Sequence, residues 1–545
     1  MNVRLFTLAI VVCLSGYGCT PSPSRTDSEP TQPPAKSPAP TDTSAAPATS
    51  AAPATSATRA VPATTDAAQS ESAATGADTS AATANSPDAD GGSDASITDE
   101  SQQGPALTVA RTDNLPGAVT MTDEDWPQYR GPRRDAISRA KGLASTWPAT
   151  GPAQLWQVSL GQGYSAPTVV ASRVYVNDYD EARSVWMVRC LALDDGHEFW
   201  RYEVPKRIRP NHGITRTAPA TDGGLVVSID PKCEVHCLDS RDGSLVWKLN
   251  LPAAYGCSIP PWYNGQCPLL VNRQLILGLG GRALMAAIHV ENGQPIWETA
   301  NAENWPLSHA SVMPLEIDGI AQYAYITLKG AVSVDAQTGK VLWTFPWQFN
   351  TAVTTMPVPL GDGKLLLTAG YHARTVIVQV RHQGETWKAE TLTAFPAPTQ
   401  GWNSEVQTPI VYRDHIYGVG KKQRGLWTCL DSSGAEVWTS RDGSFGLGGY
   451  VLADDKFFLL EDRTGTLRML DATADDYKVL GTAKVLSGPD VWAPPVVSHG
   501  KLLVRDLSKL VCLDISSPAT GAGQAAAATL PPASNAVAEQ PLAHP

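Results

Sequence analysis

The 545-residue chain has no cluster of basic residues. Lys and Arg number 42 against 53 Asp and Glu, for a net charge of −11. No run of Lys or Arg is dense enough to neutralise a phosphate backbone, which excludes a nucleic-acid partner. Aromatic residues are missing between Tyr17 and Trp126 and again after Trp492. The stretches outside those limits therefore lack what packs a core, and the 16 Trp and 15 Tyr must be buried between them. Zinc spacing is missing too. Cys233 and Cys237 do not form Cys-x-x-Cys, and His197-Glu198 opens like H-E-x-x-H but meets Arg201 where the second His belongs.

The N-terminus reads as an export signal: Arg4, then the apolar run Leu5–Leu14, too short to span a bilayer. Ser15-Gly16-Tyr17-Gly18-Cys19 resembles a bacterial lipobox, whose Cys would be diacylated and become the new N-terminus. The alternative is an ordinary secretory signal. Either places the chain outside the cytoplasm, in the periplasm or at the cell surface as a membrane-anchored lipoprotein, or secreted. Residues 21–100 hold 58 Ala, Ser, Thr or Pro out of 80. Such a composition cannot offset its chain entropy by burial, so a disordered tether is expected, spanning roughly 50–60 Å root-mean-square. The expected organisation is a signal over 1–19, a tether over 20–120, a folded body over 121–516 and a second disordered tail over 517–545.

Two registers of internal repeat run through the body. Gly-x-x-x-Trp occurs at Gly196–Trp200, Gly243–Trp247, Gly293–Trp297, Gly339–Trp343 and Gly434–Trp438, with Gly384–Trp387 one residue short. Before the Gly comes a short apolar strand ending in Asp, as in Cys190–Asp194 and Cys237-Leu-Asp239. Strand, tight turn and a second strand with an inward Trp is the local reading. Independently, Pro167, Pro219, Pro268, Pro314, Pro357, Pro409 and Pro495 open alternating strands, and a copy near Tyr450 has lost its Pro. That makes eight copies of an all-β unit of about 45–50 residues, which predicts an eight-bladed β-propeller rather than a seven-bladed ring or an open solenoid. The last copy stops at Cys512-Leu-Asp514 with no Trp strand, while Gln154-Leu-Trp156 precedes the first copy with no partner. The Trp156 strand should therefore close the ring.

These residues resemble bacterial β-propellers built from pyrroloquinoline-quinone (PQQ)-type repeats, over about 126–515. Trp126-Pro-Gln-Tyr-Arg-Gly-Pro132 and Asp135-Ala-Ile-Ser138 are similar to the lead-in of secreted or lipid-anchored members, with Tyr129 and Ala136 replacing Trp and Gly. The resemblance implies either a quinoprotein dehydrogenase of an alcohol or sugar, holding PQQ with calcium, or a non-enzymatic lipoprotein scaffold in outer-membrane β-barrel assembly. Adjacent cysteines and Cys-x-x-Cys-His, marks of many dehydrogenases of the family, are absent. A non-catalytic binding or scaffold module is the preferred reading, with an envelope protein, a peptide or a small ligand such as a carbohydrate as partner. Contact with the membrane is expected through the lipid anchor only.

Loops feeding the innermost strands crowd one mouth of a propeller, so their polar and aromatic residues are the candidate site. These are His212, Arg216, Trp262, Tyr263, Gln266, His309, Glu405, Gln407, Asp490 and Trp492. Arg216, Trp262 and Trp492 could give a cation and a platform, and Glu405 and Asp490 could give oxygens for a metal. Cys190, Cys237, Cys429 and Cys512 occupy one slot in four blades and cannot pair. Cys233 with Cys267, or Cys257 with Cys267, are candidate disulfides. If Cys19 carries the lipid, Cys19→Ser should move the protein from the membrane to the soluble fraction. An unchanged membrane fraction would instead favour ordinary secretion.

Overall fold

The computed structural model describes residues 119–210, 213–348, 351–397, 401–420 and 425–518, plus the backbone of Val109–Arg111. The expected signal with Cys19, nearly all of the tether and nearly all of the C-terminal tail lie outside the described residues. Eight sheets, each built on four antiparallel strands, follow one another around an axis, and in the first seven those four strands run in chain order from the axis outward. The first blade runs Thr168–Val170, Arg173–Asp180, Val185–Ala192, Glu198–Pro205. Its two middle strands are buried along nearly their whole length, whereas the outermost alternates, because only one side of that strand meets a neighbour. Six of the seven repeat prolines stand immediately before an innermost strand, where no ladder donor is needed. Pro314 is the second residue of Met313–Ile317.

The eighth blade closes the ring as the repeat register requires. Val496–Ser498, Lys501–Arg505 and Lys509–Asp514 are completed by Ala153–Ser159, and Trp156 lies directly opposite Cys512. Two pairings were not visible in the sequence. Val109–Arg111 adds a fifth, outer strand to the first blade, and Ile137–Ser138 pairs in parallel with Leu452–Ala453 on the inner edge of the seventh. Both cover strand edges that would otherwise leave backbone groups unpaired.

The repeat tryptophans do not point inward, as the sequence suggested. Four of them, Trp156, Trp200, Trp247 and Trp297, lie across the turn of the following blade. A Cβ on Gly243 would sit 2.5 Å from the ring of Trp200, one on Gly339 2.4 Å from Trp297, and one on Gly196 2.9 Å from Trp156. The same indoles donate across the junction: Trp156 Nε1 to Leu193 O at 2.9 Å, Trp200 to Ser240 O at 3.1 Å, Trp247 to Val290 O at 2.7 Å. Glycine is required twice over, by the close approach and by a backbone φ of 70–74° at Gly196, Gly243, Gly293 and Gly339. Phe395 takes the place of Trp against Gly434. Between the fourth and fifth blades the contact is absent. Trp343 donates within its own blade to Gln322 Oε1 (2.7 Å), and the one-residue-short copy leaves Gly384 facing open space.

Gly243→Ala should cost about 2–4 kcal/mol, combining left-handed backbone strain with a clash against Trp200. Gly384→Ala, at a similar φ of 63° but in open space, should cost only about 1 kcal/mol. Urea denaturation midpoints of the two variants provide the comparison. Equal losses would mean that the indole contact contributes nothing.

Candidate functional site

The lead-in segment does not pack on the outside of the ring; it enters the channel. Trp126 exchanges backbone hydrogen bonds with Val169 of the first blade (2.7 and 2.9 Å), and Thr221 N of the second donates to Pro127 O. Gln128 Oε1 accepts from Leu270 N of the third. Arg134, 1% exposed, donates to Val312 O at 3.0 Å, Cys267 O at 3.3 Å and also Pro268 O, while Arg130 reaches Pro409 O on the far side. These carbonyls accept from two buried guanidiniums, with Arg134 Nε left without a partner, and burial pulls the pKa of Arg134 down to about 10. Ala136 holds the left-handed backbone (φ 59°) that glycine would adopt freely at this position.

The segment thereby splits the channel. On one side is a cavity of about 220 Å³ walled by Arg130, Arg134 and the prolines of the fifth and sixth blades. On the other, at the mouth formed by the loops feeding the innermost strands, is a blind cavity of about 340 Å³ whose lining includes Tyr129 of the same segment. Burial pushes the Tyr129 phenol up to about 12, so it presents a neutral hydroxyl.

Of the residues expected from sequence, the structure gathers Arg216, Trp262, His309, Glu405, Gln407 and Trp492 around this cavity. His212 lies outside the described residues. Three others do not line it. Tyr263 turns its hydroxyl to the backbone of Arg209, accepting from N–H at 3.1 Å and donating to O at 2.9 Å. Gln266 is clipped to both backbone groups of Gly278. Asp490 stands at the rim near Asp462, whose carboxyl is pushed up by burial first and by the charge of Asp490 among lesser causes. The polar groups of Tyr263 and Gln266 thus serve the nearby chain instead of a ligand.

The sequence reading also missed Tyr129, Tyr164 and Tyr371 as site residues. Trp262 and Tyr371 face each other with ring centres 6.3 Å apart and planes 11° from parallel; Tyr164 and Trp492 stack at 4.7 Å and 19°. Trp262, Tyr263, Tyr371 and His372 all have left-handed φ values of 52–72°. Arg216 donates to Trp262 O at 2.6 Å and lies 5.9 Å over the Tyr164 ring; burial lowers its pKa. His309 donates from Nε2 to Pro261 O at 2.6 Å, and burial lowers its pKa as well. Gln407 donates to Trp492 O at 2.8 Å and Leu447 O at 3.1 Å, tying the sixth, seventh and eighth blades together at the mouth.

A family profile described as outer membrane protein assembly factor BamB matches residues 133–254, 186–440 and 329–528, together most of the chain. The chain belongs to the BamB family of PQQ-repeat propellers. Its similarity to the outer membrane protein assembly factor BamB of Salmonella typhimurium is 23% identity over 374 residues, covering 65% of this chain and 86% of that one. Among solved structures it resembles a europium-containing methanol dehydrogenase (TM-score 0.52, 13% identity, 72% of this chain and 90% of that one). It also resembles the quinohemoprotein alcohol dehydrogenase of Comamonas testosteroni (TM-score 0.50, 14% identity, 72% and 81%). At such identities the two dehydrogenases establish the shared fold alone.

The residues of this BamB-family cavity do not fit a calcium-held PQQ. Calcium takes six to eight oxygens, and Glu405 is the one carboxylate among the described lining residues. Asp490, the second oxygen donor expected, is not in the wall. The hydroxyl of Thr354 is turned to the carbonyls of Glu405 and Val406, and both hydrogen bonds of the Gln407 amide nitrogen go to backbone. The cluster Asp230–Glu234–His236 could hold a cation, but Lys206 already sits there, bonded to Asp230 and, at 2.7 Å, to Glu234.

Neither pairing expected for Cys267 is made. Cys233, Cys257 and Cys267 are buried free thiols. Cys233 and Cys257 share one core cluster, while Cys267 belongs to another, where its sulfur accepts from Ala218 N at 3.2 Å. Cys190, Cys237, Cys429 and Cys512 are buried in their strands, as small apolar residues would be.

The lead-in segment is latched by His499, which donates from Nε2 to Asp125 Oδ1 at 2.8 Å. The hydrogen bond and charge of Asp125, helped by Glu124 and opposed by Lys501, raise the His499 pKa. Burial alone would raise that of Asp125, but His499 and the amides of Thr122 and Ala171 hold it below the usual carboxylate range. A raised histidine contributes fully below its unfolded value near 6.5 and is lost as pH climbs through the folded one. Docking of residues 119–143 should therefore loosen as pH rises above about 6.5 and through the raised value of His499. Hydrogen exchange of the Ala171 amide should show the change, and His499→Gln should remove the pH dependence.

Proposed function

We propose that this protein is an exported, lipid-anchored binding or scaffold propeller acting in outer-membrane protein assembly at the cell envelope, without turnover of its own. The supporting observation is membership of the BamB family across nearly the whole propeller. The cavity adds to it, since its donor set is wrong for a calcium quinone and right for reversible binding. Cys19 and the Ala/Ser/Thr/Pro-rich stretch would let the head work at a distance from the membrane. Asp490, Tyr263 and Gln266 shape the rim, while Arg216, Trp262, Glu405 and Trp492 meet what enters.

The quinoprotein reading remains the alternative, motivated by the shared fold of the dehydrogenases. Deleting the gene in its host is expected to lower the level of outer-membrane β-barrel proteins at least about twofold. Purified protein given PQQ and Ca²⁺ is expected to show no dye-linked oxidation of alcohols or aldoses. Unchanged barrel levels together with PQQ-dependent oxidation would replace the scaffold reading with the dehydrogenase.

A further inference from the structure

We propose that the blind cavity is a binding site for a single carboxylate-bearing sugar ring, a hexuronate or a pyranose of the same chemistry. This goes beyond the assembly role and does not rest on it. Size comes first. About 340 Å³, closed behind by the lead-in segment, admits one or two ring-sized groups and stops a chain from threading the ring. A peptide read through its backbone would need a strand edge. At this mouth the first two feeding loops pair with each other through the bridge between Gly163 and Thr215, so that edge is taken.

The walls are flat. Trp262 and Tyr371, and the outer side of the stacked Tyr164–Trp492 pair, give aromatic walls for the C–H face of a pyranose. Trp262 and Tyr371 both hold left-handed backbone, φ 62° and 52°, which fixes the direction in which this pair leaves the chain. The polar groups are planar and multidentate. Glu405 matches vicinal hydroxyls, while Gln407, its amide nitrogen held by Trp492 O and Leu447 O, has only its amide oxygen to accept from a ligand. Arg216, already oriented by Trp262 O and the Tyr164 ring, presents a weakly hydrated guanidinium suited to a carboxylate. A flat heteroaromatic tricarboxylate would want more cations than this one guanidinium supplies.

Tryptophan fluorescence of the full-length protein should respond saturably to glucuronate. Glucose should bind at least ~10-fold more weakly, since one charge-assisted contact is lost. Arg216→Gln should erase the preference, lowering glucuronate ~10-fold and leaving glucose unchanged. Tyr371→Leu, at a partly exposed position where folding is not at stake, should weaken both sugars alike. Trigalacturonate bound as well as the monosaccharide would point to the end of a glycan chain as the source; weaker binding would point to a free sugar. Equal affinity for glucose and glucuronate would overturn the proposal. So would the absence of saturation with either sugar, or micromolar binding of PQQ that glucuronate fails to displace.

Discussion

An indole laid on a glycine holds this ring together. Each such contact joins two blades, so it acts on the one junction a repeat protein cannot stabilise from within a single repeat. It buries a large aromatic surface, satisfies the indole N–H on a carbonyl of the next blade, and forbids a side chain on the residue beneath. The closing contact uses the same chemistry. Trp156, contributed from before the first blade, rests on Gly196 just as Trp200 rests on Gly243. Closure is therefore one more copy of the ordinary junction, with the chain break moved to a place where strand pairing can cover it.

Given a closed ring, the channel is an axis lined by inner-strand carbonyls and edges, and something has to answer them. Here the chain answers with its own lead-in segment. Arg130 and Arg134 take carbonyls from the third, fourth and sixth blades, and Ile137–Ser138 pairs with the seventh. Burying two guanidiniums costs desolvation. Carbonyl dipoles offset it without a carboxylate ion pair among the described residues. The same segment, by filling the middle of the channel, turns a through-passage into a cup and sets Tyr129 in its lining.

The ring and its closure were legible because they are periodic. Glycine and tryptophan must recur at a fixed offset for the junction to form, and proline marks the start of each inner strand. The direction of the indole was not legible, since a two-residue alternation says that a side chain leaves the sheet plane but not which neighbour it meets. Six of the expected residues line the cavity, and all six stand in loops that precede those prolines. Tyr129 and Tyr371 were missed as site residues for one reason: neither belongs to those loops. Tyr129 lies before the first repeat, and Tyr371 sits between the second and third strands of the fifth blade. Tyr263 and Gln266 were overvalued because a polar residue at a channel mouth is as well used by an adjacent backbone as by a ligand.

The departures from the repeat fall where the cavity is built. The fourth and fifth blades lack the indole–glycine contact, and the fifth blade carries the Thr368–Thr375 loop that brings Tyr371 over the mouth. Gly370, beside it, leaves the space that Glu405 of the sixth blade occupies; a Cβ there would stand 2.2 Å from Glu405 Cγ. Identical blades would place identical loops around the mouth and could make only a symmetric rim. An asymmetric pocket needs blades free to differ, and one of the junctions without the indole–glycine interlock, between the fourth and fifth blades, borders the blade that brings Tyr371 to the cavity.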